Sequence, residues 1–165
     1  MFSILPPSSK GLIIFCNPNA GFYESFSQMD IDNSWLGYYT ALGYDFFAFN
    51  YRGYGRSQGL PIPSAIKSDS IQVVSYLLQH FRPKCILVHG ESIGGMIACH
   101  IASHFQSNIH GLICDRTFAS LDSTASRLLF GTNIISHCMR YLAWWNTNVT
   151  ADYLAATCRK LLIQV

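Results

Sequence analysis

The pentapeptide Gly90-Glu91-Ser92-Ile93-Gly94 sets a serine between two glycines at a spacing suited to nucleophilic catalysis. Before it runs Cys85-Ile86-Leu87-Val88-His89, a short apolar stretch that reads as a strand, and after it Met96-Ile97-Ala98-Cys99 continues as a helix. Gly-x-Ser-x-Gly in that setting predicts a tight strand-to-helix turn that lifts the Ser92 hydroxyl clear of the sheet. A Cβ at position 90 or 94 would collide with the crossing backbone, which explains the glycines. The amide of Ile93 falls in the first turn of the helix, where N–H groups lack carbonyl partners and the helix dipole favours a negative oxygen. A hydroxyl nucleophile beside such an amide is half of an acyl-transfer site. The plainer alternative is a glycine-rich turn whose serine caps the next helix. The strand before the motif and the helix after it favour the catalytic reading.

Other reactive side chains carry less. His89 precedes the turn on the strand, and alternation between faces argues against its reaching the Ser92 hydroxyl, so a packed core histidine is expected. Glu91 is expected to shape a pocket or face solvent. Arg52 and Arg56 could meet an anionic group, but bracing their own loop through carbonyls is the simpler role. Gly53-x-Gly55 with Gly59 leads into Leu60-Pro61-Ile62-Pro63 rather than a helix start, so it fails the test for a phosphate-binding loop. Six cysteines (16, 85, 99, 114, 138, 158) show no paired or metal-ligand spacing and read as reduced core residues. No metal or cofactor is called for.

These groups need a scaffold. Gly11–Cys16 is an unbroken apolar run, as expected of a strand buried on both faces. A loop from Asn17 to Gly21 follows, then a helix within Ser34–Leu42. A strand over Asp45–Asn50 leads to a loop from Tyr51 to Pro63. Ser64 is placed to cap a helix reaching Phe81, with Ile66, Val73, Val74, Leu77 and Leu78 facing inward. Strand 85–89 and helix 93–105 carry the serine turn, and strands over Gly111–Cys114 and Lys160–Val165 complete the pattern. Ile134–Trp145 reads as an apolar helix packed over the sheet, with a lid or lipid-facing surface as the alternative. Strands alternating with helices predict an α/β fold with a mostly parallel sheet and right-handed crossovers. Asn17–Gly21, Tyr51–Ser57 and Ser92 would then converge at the carboxyl ends of the strands.

Taken together the pieces resemble an α/β-hydrolase. Asn17-Pro18-Asn19-Ala20-Gly21 stands where that family often carries His-Gly-Asn-Ala-Gly, Asn50–Ser57 looks like its Arg-Gly-x-Gly-x-Ser loop, and Gly90–Gly94 matches its nucleophile elbow. Three shorter strings resemble the phosphatidylserine and monoacylglycerol lipase branch: Asn-Ala-Gly-Phe-Tyr-Glu (19–24), Gly-x-Pro-x-Pro (59–63) and Ser-Ile-Gly-Gly (92–95). The resemblance implies that Ser92 attacks an ester carbonyl while the amides of Ile93 and Asn19 hold the oxyanion. Pro18 stands where a glycine is usual; it lacks an N–H, but the amide expected to serve belongs to the next residue, and the choice between Asn19 and Ala20 stays open.

The family's order is Ser, then Asp or Glu, then His. Its acid follows the strand that here ends at Val165, and its histidine follows one strand more. The chain is therefore expected to be a C-terminally incomplete, single α/β-hydrolase domain over residues 1–165, inactive as it stands. Ser92, Asp115 and His137 satisfy the order formally, but His137 falls in the helix over 134–145, and order is a weaker test than geometry. The simpler role for Asp115 is a partner for Arg116. The expected intact activity is hydrolysis of a small-molecule or lipid ester. The alternative is a non-catalytic hydrolase-like module that binds an acyl ligand or a partner.

Bulk composition fits one domain. The chain has 165 residues, 50% of them hydrophobic and 12% charged, so most elements are expected to be buried. A net charge of +2 without a basic cluster argues against nucleic acid as a partner. No signal-peptide pattern opens the chain, and no apolar run approaches the length of a membrane span. An intracellular place is expected, cytoplasmic or peripherally membrane-associated. Asn148-Val149-Thr150, a formal glycosylation acceptor, reads as coincidence in that setting.

Overall fold

The computed structural model describes residues 9–28, 30–120 and 147–164. Five strands form one parallel sheet: β1 (Leu12–Cys16), β2 (Asp45–Ala48), β3 (Ile86–Glu91), β4 (Gly111–Asp115) and β5 (Arg159–Ile163), in the spatial order β2-β1-β3-β4-β5. The expected α/β class is what the chain adopts. β1 and β3 lie at the centre, and all five residues of β1 are buried, as its unbroken apolar run requires. β5 lies at one edge, with Leu161 and Leu162 exposed.

Two unlike layers cover the sheet. On one face α2 (Pro63–Phe81), α3 (Gly94–His104) and α4 (Val149–Ala155) close over Ile14, Cys16, Val88, Leu112 and Cys114. Met96, Ile97 and Ile101 of α3 are wholly buried there, and each such side chain contributes about 2 kcal/mol. On the other face the residues alternate to aromatic ones. Phe15 stacks on Phe46 and meets the edge of His89, while Trp35 and Tyr39 of α1 (Trp35–Ala41) pack over the imidazole.

Local chemistry sets the boundaries. Ser34 caps α1 by accepting the Gly37 amide at 3.1 Å. Ser64 does not cap α2: the helix begins one residue earlier, because Pro63 at the first position needs no amide partner and its fixed φ already suits a helix. Ile66, Val74 and Leu77 are buried from α2 as expected, with Val73 and Leu78 packed beside them. β2 stops at Ala48, because Asn50 leaves the ladder: its carboxamide accepts the Tyr23 amide and donates to Glu24. Asn148 spends its side chain capping α4 through the Ala151 amide. The helix expected over 134–145, with His137 and Cys138, lies outside the described residues.

Candidate active site

β3 delivers the serine. The strand ends at Glu91, α3 begins at Gly94, and Ser92 between them has φ of +53°, a left-handed conformation that non-glycine residues avoid. Both flanking glycines are required by close approach. A Cβ on Gly90 would strike the Gly94 carbonyl, and one on Gly94 would strike the Cys16 carbonyl at the end of β1. The second contact brings the start of α3 against the Asn17–Gly21 loop.

The Ser92 backbone is held from β4. Its N–H donates to the Asp115 carbonyl at 2.9 Å, and its own carbonyl accepts from Thr117 Oγ1 at 2.8 Å and from the Gly95 amide at 3.0 Å. Among the described residues the Ser92 hydroxyl makes no hydrogen bond, and neither does the Ile93 amide at the mouth of α3. A nucleophile-type hydroxyl and an anion-accepting amide thus sit side by side, both disengaged.

Asn19 lies on the facing loop. Pro18 to Gly21 form a turn closed by the Gly21 amide on the Pro18 carbonyl at 3.0 Å, with Ala20 at φ +60°. Tyr54 donates its hydroxyl to Asn19 Oδ1 at 2.9 Å, Tyr51 donates to the Asn17 carbonyl at 2.8 Å, and the Asn17 carboxamide donates to the Phe49 carbonyl at 3.0 Å. The three loops expected to converge at the carboxyl end of the sheet do so. Tyr51, Tyr54 and Asn17 were not singled out from the sequence; a buried Asn at a strand end and tyrosines three apart in the next loop were the available signals. Thr117 gave none, because its contact with Ser92 spans 25 residues.

Charge behind the turn is arranged by Arg116. Its guanidinium donates to both Asp115 oxygens at 3.0 and 2.9 Å and to Glu91 at 2.7 Å. Asp115 is buried and committed to this pair, in its simpler expected role. His89 is completely buried, shares a hydrogen bond with the Tyr39 hydroxyl at 3.0 Å through Nδ1, and keeps Nε2 4.0 Å from Asp115. Burial depresses its pKa to about 4; Asp115 opposes that shift, and the Arg116 charge adds to it. A neutral core histidine is the result, as alternation in β3 predicts. Burial likewise pushes the Tyr39 hydroxyl up to about 12.

The arginines of the second loop act differently from expectation. Arg52 reaches out of its loop to Asp69 on α2 rather than to local carbonyls, because α2 starts close enough to offer a carboxylate for a two-pronged pair. Arg56 is exposed and lends its charge and backbone amide to Glu24, whose pKa is lowered mainly by its hydrogen bond with Asn50.

Beside the turn opens a cleft of about 360 Å³. Phe15, Phe26, Trp35 and Tyr38 wall it, and Pro18 and Glu91 border it on the side of Ser92.

Residues 11–160 match the α/β hydrolase fold, and the chain belongs to that family. Among its relatives is the protein bem46 of Schizosaccharomyces pombe, 34% identical over 135 residues, which cover 79% of this chain and 43% of bem46. The esterase Pf2001 of Pyrococcus furiosus superposes with a TM-score of 0.70 at 20% identity, covering 93% of this chain and 59% of that one. A soluble variant of the monoglyceride lipase of Saccharomyces cerevisiae gives 0.60 at 20% identity, covering 82% and 45%. At those identities the likeness to the solved structures is one of fold. The chain spans about two-fifths of the length of bem46. Among the described residues no helix is long and apolar enough to cross a membrane.

Proposed function

We propose that this chain carries the nucleophile and oxyanion-holding half of a serine ester hydrolase acting on neutral carboxylic or lipid acyl esters. Ser92 attacks the acyl carbon, the amides of Ile93 and Asn19 hold the oxyanion, and the alcohol leaves as the acyl-enzyme forms. The observation that carries the reading is the left-handed Ser92, pinned through its backbone at the junction of β3 and α3 with its hydroxyl disengaged among the described residues. Kinship with an esterase and a monoglyceride lipase in fold, and an aromatic-walled cleft beside the turn, support an ester with an apolar acyl part.

On this reading the activating base comes from outside the described residues. Among those described, His80, His100 and His104 sit on α2 and α3, His110 precedes β4, and His89 is locked in the core. Intact-mass analysis after fluorophosphonate treatment tests the reading, with circular dichroism to show folding. One adduct per chain that vanishes in Ser92→Ala is expected, either unaided or once imidazole at high concentration replaces the base. If labelling is unaided, His137→Ala should abolish it. A folded chain that stays unlabelled in both conditions overturns the hydrolase reading and leaves a non-catalytic binding module.

A further inference from the structure

The six cysteines show no pairing in sequence, yet the fold brings two together. Cys99 on α3 and Cys114 on β4 place their sulfurs 3.5 Å apart on the face of the sheet covered by α2, α3 and α4. Both side chains also line a second cavity of about 200 Å³, set between β4, β5 and α4 and walled by Phe118, Val149, Tyr153 and Leu162. A cavity of that size admits a molecule several times larger than water. It is separate from the cleft beside Ser92 and has no part in the hydrolytic reading.

We infer that Cys99 and Cys114 form a redox-active dithiol, which a small hydroperoxide entering this cavity converts to a disulfide. Both residues are wholly buried at the cavity's wall, so a small oxidant held there lies beside the pair, and the neighbouring sulfur is already within reach to resolve the product. The polarity of the pair follows from its surroundings. The two sulfurs share a hydrogen bond in which either can donate; with Cys99 as the donor the Cys114 pKa falls and that of Cys99 rises, and although burial opposes the fall, Lys160, whose ammonium lies 4.9 Å from the Tyr153 ring centroid, adds to it. Cys114 is therefore the attacking thiolate and Cys99 the resolving thiol.

In the first step the Cys114 thiolate attacks the outer peroxide oxygen, the O–O bond breaks, and the alkoxide or hydroxide leaves as Cys114 becomes a sulfenic acid. In the second the Cys99 sulfur attacks Cys114, its proton goes to the departing hydroxyl, and water leaves as the S–S bond forms. Two thiols lose two electrons, and the peroxide gains them. Closing the pair would tie α3 to β4, the two elements that hold Ser92.

The test treats the full chain with hydrogen peroxide, alkylates remaining thiols with iodoacetamide in denaturant, and maps the products by mass spectrometry. Cys85, Cys99 and Cys114 share one segment between Lys84 and Arg116, so cleavage must be made after Glu91 and Phe105 as well. The expected result is a Cys99–Cys114 linkage two hydrogens lighter than the reduced pair, reversed by dithiothreitol, with Cys16 and Cys85 alkylated. Cys114→Ser should abolish all oxidation in this segment. Cys99→Ser, or Cys99→Ala if the first fails to fold by circular dichroism, should instead carry Cys114 on to the sulfinic acid. A linkage through Cys16, Cys85 or Cys138 overturns the proposal. So does a folded chain whose Cys114 stays alkylatable at peroxide levels that oxidise free glutathione.

Discussion

Ser92 and Arg116 occupy matching places on neighbouring strands. Glu91 of β3 pairs in register with Asp115 of β4, and the residue after each turns left-handed, at φ +53° and +48°. For a side chain with a Cβ this conformation costs about 1–2 kcal/mol. At Arg116 the side chain offsets the strain by bonding Asp115 and Glu91, while its N–H continues to the Ile163 carbonyl of β5. At Ser92 the backbone alone is held, by Asp115 and Thr117, and the side chain is left disengaged among the described residues. Strain by itself therefore does not mark a reactive residue. What Ser92 adds, and what the proposed function draws on, is a hydroxyl that bonds none of the described residues, beside the opening amides of a helix.

The comparison breaks most easily at Gly94, which has no counterpart after Arg116. An added Cβ would meet the carbonyls of Cys16 and Asn17, both backbone, so the start of α3 must move. Gly94→Ala is expected to cost about 3 kcal/mol or more in urea unfolding. Gly43→Ala is the control: its φ is +85° but its nearest neighbour is a flexible lysine stem at 3.6 Å, so a cost of about 1 kcal/mol is expected. Equal losses would mean that α3 is not pressed against the β1 loop.

The next effect lies under the Arg116 side. His89 has a folded pKa of about 4 against about 6.5 when unfolded, so between those values the unfolded chain takes up a proton that the fold refuses. Its contribution is intact above pH 6.5 and is lost as pH falls toward 4, by about 3 kcal/mol in all. Urea midpoints across that window should fall more steeply for the native chain than for His89→Gln. Matching slopes would show that the fold does not disfavour the proton on His89.

Sequence made one side of this comparison plain and hid the other. The elbow is legible because its requirements are local: an apolar run, two glycines fixed by close approach, and a helix within five residues. Alternation along β3 likewise placed His89 in the core. The support for Ser92 is long-range, through Thr117, and the Arg116 bridge to Glu91 spans 25 residues. Such contacts depend on strand order, which periodicity does not encode. The same reason hid the Cys99–Cys114 pair, and Arg52 was misread because α2 begins at Pro63 and turns Asp69 toward it.

Removing the Arg116 side chain is expected to matter less than either change above. Arg116→Ala leaves the buried Asp115 without its bidentate partner. The guanidinium is 52% exposed, so the loss is expected to fall well short of that of a fully buried pair. Arg116→Gly loses the same bonds yet relieves the left-handed backbone, and should recover about 1 kcal/mol of that cost. In either variant the freed Asp115 carboxylate should raise the His89 pKa and flatten the pH slope. An unchanged slope would separate His89 from this network.

The smallest effect is the one that tests the serine directly. Ser92→Ala removes a hydroxyl that bonds none of the described residues but keeps the Cβ that strains the backbone, so stability should hardly change. Ser92→Gly removes the Cβ as well and should be more stable than Ser92→Ala by up to about 1 kcal/mol, because relief of strain outweighs the added freedom of the unfolded glycine chain. Both variants should lose fluorophosphonate labelling, so stability and reactivity move in opposite directions at this position. At Arg116 the glycine variant recovers stability with no reactivity to lose. If Ser92→Gly were instead less stable than Ser92→Ala, the left-handed turn would not be storing strain, and Ser92 and Arg116 would no longer be two uses of one backbone device.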